Sequence, residues 1–277
     1  AAAALIDQDA LDEGEQVARR IITHDPLSAR AHLLQGLALA AQSDLAGAEA
    51  ALGRARELAP GLAEAALRLG TFYRDSGRIE EARKELQSCL EYNPEFNPAH
   101  LALGILEQRQ DHMVRAIACF EQVLAAEPDN IVALNNAGTC LQALGRLDEA
   151  LERFHAALAI EDDQPEVLGN LAGVLMLLER IDEAAVYFSR LLDRHPDYSK
   201  SYPIYAHVLS RLCAWRNLGA VMSRLVADAK ADIAAGRPVH VSPFGLHSLP
   251  LHDPALALAV ALQASSVAAE TARRQAP

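Results

Sequence analysis

Two asparagines, Asn136 and Asn170, stand 34 residues apart in this 277-residue chain. A carboxamide is donor and acceptor at once, so it can pair with both groups of a peptide unit. Two such amides in equivalent places would grip an extended polypeptide by its backbone; alternatively they tie neighbouring helices together. The other chemistry-bearing residues assemble into less. Cys89, Cys119, Cys140 and Cys213 show no C-x-x-C spacing, which reads as core or half-buried thiols in a reducing, cytoplasmic compartment. His240, His247 and His252 crowd together near the end, at spacings that do not share one helical face, and no H-E-x-x-H occurs. Gly-rich phosphate loops and G-x-S-x-G elbows are absent too. No catalytic centre, cofactor site or metal site is expected in these residues.

The elements that must position the asparagines follow from a ruler. Prolines occupy residues 26, 60, 94, 128 and 196, leaving a gap only at 162 on a step of 34. Ten residues past these slots stand Gly36, Gly70, Gly104, Gly138, Ala172 and Ala206, where one helix must pass close to another. Ala48, Ala82, Ala116, Ala150 and Ala184 form the matching small column of a second helix. Leu52, Leu86, Phe120, Phe154 and Phe188 follow four residues later and are expected to fill the space between helix pairs. This pattern resembles the tetratricopeptide repeat (TPR), two antiparallel helices and a turn. The resemblance spans about residues 11–212 and implies an all-α superhelical solenoid of about five full repeats plus partial ends, whose first helices line a concave surface. The chain enters the register part-way, at a second helix over 11–23, and is expected to be truncated at its start.

On such a surface the position eight past each slot reads Leu34, Arg68, Ala102, Asn136, Asn170 and Ile204. The apolar members confine any amide ladder to the fourth and fifth repeats. Arg68, Arg74, Gln108, Arg109, Thr139 and Gln142 are expected to face the same peptide-binding channel, with Glu64 and Glu166 flanking it. Net charge is −12, from 25 basic against 37 acidic residues. That argues against a nucleic-acid partner, which needs a basic track. No apolar run is long enough for a membrane span.

After residue 198 the register is expected to fail. A first helix over 199–212 leads to C-A-W-R-N-L at 213–218, then a helix of about twenty residues to Ala235 and Gly236. Pro243-Phe244, Leu246, Asp253-Pro254 and a further helix from Ala255 come next. Trp215 and Phe244 are expected to cap the open end of the array. The order Cys213-x-Trp215, helix, Pro243-Phe244, Asp253-Pro254 resembles the join between the TPR arm and the catalytic half of SPINDLY-type protein O-linked N-acetylglucosaminyltransferases, especially bacterial ones. That resemblance implies a TPR array at 1–212 and a helical cap and linker at 213–277 leading toward a further domain, where UDP-N-acetylglucosamine would bind. Asn136 and Asn170 resemble that family's asparagine ladder, which implies that extended or disordered segments of target proteins are the partners. A stand-alone adaptor or scaffold is the alternative, and self-association into a homo-dimer a third reading.

Overall fold

The computed structural model describes residues 8–235 and 237. These form α1 (Gln8–His24), α2 (Ala29–Ala41), α3 (Leu45–Leu58), α4 (Ala63–Asp75), α5 (Ile79–Tyr92), α6 (Asn97–Arg109) and α7 (Met113–Ala126). Then come α8 (Ile131–Ala143), α9 (Leu147–Ile160), α10 (Pro165–Leu177), α11 (Ile181–Arg194), α12 (Tyr202–Arg211) and α13 (Trp215–Ala234). The described residues contain no strand. Helices of 13 or 14 residues are marginal alone in water, so packing of their alanine- and leucine-rich faces must hold them.

The helices divide into two compact units, α1–α8 and α9–α13. Within each, consecutive helices pack on one another, in hairpins such as α2–α3, α4–α5 and α6–α7, or α10–α11 and α12–α13. Every turn inside a pair uses one residue with left-handed backbone: Ser43, Gly77, Asp111, Gly145, Glu179 and Cys213, with φ between 53° and 76°. These six are spaced by the repeat step, and only Gly77 and Gly145 adopt the conformation without steric cost. Cys213 is the last of them. The backbone period therefore runs on past residue 198, where the sequence columns suggest failure, because the turn geometry and the small first-helix position at Ala206 persist although Leu218 replaces the small residue of the second helix.

In the first unit the glycine column opens a notch. A Cβ on Gly36 would lie 2.7 Å from Leu52 Cγ, one on Gly70 2.8 Å from Leu86 Cγ, and one on Gly104 2.6 Å from Phe120 Cε1. The leucine or phenylalanine thus sits inside its own pair, filling the notch, rather than only between pairs as the sequence suggests. Leu52 also belongs to one buried cluster with Ala65 and Leu69 of α4, and Leu86 to another with Ala102 and Leu106 of α6, so each cluster joins three helices.

The second unit solves the missing proline differently. Asp162 occupies that slot, and Arg190 of α11 donates to its backbone carbonyl and, at 2.6 Å, to its carboxylate. Arg194 lies 3.3 Å from Asp163, and His195 Nε2 lies 3.1 Å from the same carboxylate. An ionic clamp from the end of α11 thus stands at the slot that lacks the proline ring. Elsewhere the proline carbonyl is itself a hydrogen-bond acceptor. His32, His100 and Tyr202, each six residues past its slot, donate to the carbonyls of Pro26, Pro94 and Pro196.

Trp215 does not cap the array as expected. It is 63% exposed at the first residue of α13, one turn before the buried stripe Leu218, Val221, Met222, Leu225 and Ala229 begins. Gly236, His240, Pro243, Phe244, Leu246, His247, His252, Asp253, Pro254 and the helix expected from Ala255 lie outside the described residues.

Candidate binding face

In the first unit, first helices meet first helices: α4 packs on α6 and α6 on α8, more extensively than α3 meets α5 or α5 meets α7. The second helices are therefore splayed outward and the first helices line the inner side of the unit. That is the face on which the sequence places most of its candidate residues.

Their states differ. Arg68 is half-exposed and donates to Glu64 one turn earlier at 2.6 Å, so this pair is internally neutralised. Arg74 pairs with Asp75 at 2.9 Å. Thr139 turns inward, its hydroxyl donating to the Asn135 carbonyl at 2.9 Å. Gln108, Asn136 and Gln142 are half-buried, Arg109 is exposed, and none of these four makes a hydrogen bond or ion pair through its side chain among the described residues. Ala102 is buried, and Leu34 is exposed.

Asn170 and Glu166 belong to α10 in the second unit. Asn170 is half-buried and already has a polar partner within the protein, whereas Glu166 is exposed. Ile204 of α12 is half-exposed. The two asparagines thus fall in different units and in different states.

Three of the four thiols are held in the protonated form by burial. Burial, reinforced by the Glu107 carboxylate, pushes Cys119 up to about 11, and burial alone pushes Cys140 up to about 11. Burial raises Cys89 as well, and its Sγ–H donates to the Ala63 carbonyl at 3.3 Å. Cys213 is an exposed free thiol in the last turn. No cluster of three or more His, Cys, Asp or Glu able to hold a metal occurs among the described residues. No described helix is long and apolar enough to cross a membrane.

Inspection of the columns for ligand contact overlooks the most buried charge. Glu107 is 3% exposed and accepts from Arg83 Nε at 2.6 Å and His112 Nδ1 at 2.7 Å. Burial works to raise its carboxyl, but the hydrogen bonds from Arg83 and His112 prevail and hold it below the usual range. A signal exists in the sequence. The column thirteen past the slot reads Leu39, Tyr73, Glu107, Leu141, Leu175 and Leu209, so a lone charge interrupts an apolar series. One repeat earlier the same spot holds Tyr73, whose hydroxyl donates to Glu49 at 3.3 Å. These contacts lock successive pairs to one another and do not face the inner side.

Family models for the tetratricopeptide repeat match residues 1–63, 39–106, 108–167 and 141–212. No curated protein matches the chain. Among solved structures, it is similar to YrrB, described as a TPR protein with an unusual peptide-binding site. The TM-score is 0.57 at 21% identity, over 65% of this chain and 93% of that one. PilF of Pseudomonas aeruginosa aligns at 0.63 with 16% identity, over 71% of this chain and 90% of its own. MamA from Desulfovibrio magneticus RS-1 aligns at 0.58 with 15% identity, over 61% and 96%. At these identities the likeness is one of fold.

Proposed function

The chain belongs to the tetratricopeptide-repeat family, and from that premise we propose that it holds extended or disordered segments of target proteins on the inner faces of its first helices. The observation that carries this reading is the half-buried Asn136 amide on α8, whose donor and acceptor groups have no partner among the described residues. This amide is open to solvent, so a bound segment would take the place of water on both its donor and its acceptor. Asn170 holds the equivalent column position on α10 of the second unit and is tested alongside it. A peptide-binding site is described for YrrB, which shares the fold. Cytoplasmic segments are the expected targets, given four cysteines and no disulfide among them.

In the finer form of this reading the array at 1–212 is the acceptor-recruiting arm of a UDP-N-acetylglucosamine-dependent protein O-glycosyltransferase, and 213–277 is its linker. That form rests on the resemblance at Cys213-x-Trp215 and at residues 243–254, the latter outside the described residues. A stand-alone adaptor draws equal support from the same array. The native mass in source cells separates the two: about 29.8 kDa favours the adaptor, and a larger species with nucleotide-sugar-domain peptides favours the arm.

The binding reading itself is tested by panning a random linear-peptide library on the chain. The best peptides are then titrated calorimetrically against wild type and Asn136→Ala with Asn170→Ala. A loss of about tenfold in affinity at unchanged helix content is expected. Equal affinity would remove the asparagines from the contact.

A further inference from the structure

The first unit carries a polar row that the asparagine column does not account for. Fourteen residues past successive slots stand Arg74, Gln108 and Gln142, at equivalent places on α4, α6 and α8, the first helices that pack on one another. The same column holds Ala40 on α2, so the row begins at α4. Beside it, at the last residue of α6, stands Arg109, exposed and without an ion partner among the described residues.

The lack of a partner has a local cause. Arg211, the equivalent residue on α12, reaches back at 2.5 Å to Glu179 in the turn of the preceding pair. For Arg109 the equivalent turn residue is Gly77, which has no side chain to offer. Arg68 and Arg74 are neutralised by Glu64 and Asp75, and α8 carries no charged residue at all. Among the described residues, Arg109 therefore stands on this inner face without an ion partner, as does Arg30 at the start of α2.

Charge is segregated around it. The first helices of the unit carry Arg30, Arg68, Arg74 and Arg109 against Glu64 and Asp75, with Glu107 buried. The outer helices α3, α5 and α7 lean the other way, with seven acidic residues against five basic ones, and the turns add Asp44, Asp111 and Asp129 beside Arg78. The small cationic excess of the first helices, set in a chain of net charge −12, favours an acidic ligand along this face.

We propose that the inner face of the first unit selects an extended segment of a partner protein bearing an acidic side chain, seated on Arg109 and flanked by backbone contacts from Gln108, Gln142 and Asn136. The amides take the peptide groups, and the guanidinium takes the carboxylate in a charge-assisted pair. The carboxylate is an internal side chain rather than a chain terminus, because polar side chains continue on both sides of Arg109, to Arg74 on α4 and Gln142 on α8. This proposal rests on the reading that the first helices hold protein segments, and adds the chemistry they select.

The probe is a peptide from the library panned above, resynthesised with each acidic residue replaced in turn by its amide, and with its C-terminus free or amidated. Binding is read by fluorescence anisotropy on wild type, Arg109→Ala and Gln108→Ala with Gln142→Ala. One Glu→Gln or Asp→Asn replacement should weaken binding about tenfold or more on wild type and have little effect on Arg109→Ala. Amidating the C-terminus should leave affinity unchanged, and raising salt should lower it. Both variants change residues without partners among the described residues, so helix content should stay at the wild-type level. Selected peptides that bind well but show no acidic position, or bind Arg109→Ala as tightly, overturn the proposal and leave the binding reading standing. Dependence on the terminal carboxylate overturns it in favour of a C-terminal ligand. A self-complementing ligand would appear as concentration-dependent dimers broken by Arg109→Ala, and that overturns it too. A library from which nothing is enriched contradicts both this proposal and the reading beneath it.

Discussion

Gly104 and Gly53 both lie inside helices, yet they carry opposite expectations. A methyl group on Gly104 would stand 2.6 Å from the ring of Phe120, which is fully buried and has nowhere to go. Gly104→Ala should therefore cost about 1–3 kcal/mol through overpacking. Gly53 of α3 has nothing within 4 Å of its would-be Cβ. Gly53→Ala should add about 0.5–1 kcal/mol by restricting the unfolded chain. Urea midpoints at unchanged m-value would report both. A neutral Gly104→Ala would mean that the ring does not occupy the notch. The need for a small residue at Gly36, Gly70 and Gly104 is legible in the sequence, because the column repeats. Which side chain fills the space is not: spacing says that Leu52, Leu86 and Phe120 are inward, but not that each turns toward its own pair.

At the scale of helices, the lock between α5 and α6 is the Glu107 carboxylate held by Arg83, with His112 and, at 3.9 Å, Arg115 beside it. Arg83 also bonds the exposed Glu80, so its charge keeps one partner if Glu107 is lost. Glu107→Ala should cost about 3 kcal/mol, the low end for breaking a buried pair, because Arg83 keeps Glu80. The carboxyl is held below its usual range, so the stability it supplies is fully present above the unfolded-state value of about 4.3. That stability is lost as pH falls through the lower folded-state value. Wild type should lose stability more steeply than Glu107→Gln below about pH 4, measured by denaturation across pH. Parallel acid limbs would show that the pair is not coupled to folding. The helix boundaries themselves were within reach of pattern reading, since an alanine- and leucine-rich 34-residue period leaves few alternatives. The helix after Cys213 is also expected from sequence, and α13 spans Trp215–Ala234. The left-handed turn residues were harder, because Ser43, Asp111, Glu179 and Cys213 share a conformation and no chemistry.

At the scale of the molecule, the first helices of the two units carry different side chains. α4, α6 and α8 offer arginine and amide side chains, whereas α10 and α12 present Leu177 and Ile204, exposed by 58% and 44%. The sequence treats Asn136 and Asn170 as one device because they share a column. The structure gives them different surroundings, since Asn170 has a polar partner and Asn136 has none among the described residues. A column records equivalent backbone positions; hydrogen-bond partners come from neighbouring helices whose side chains do not repeat. The central claim is that a bound segment lies on the first helices and is held by their amides. The most direct test is to follow side-chain NH2 resonances by heteronuclear NMR while a library-selected peptide is added. The account predicts shifts at Gln108, Asn136 and Gln142, with Gln87 of α5 and Gln122 of α7 unmoved on the outer helices. Shifts confined to Gln87 and Gln122, with the inner amides silent, would contradict it.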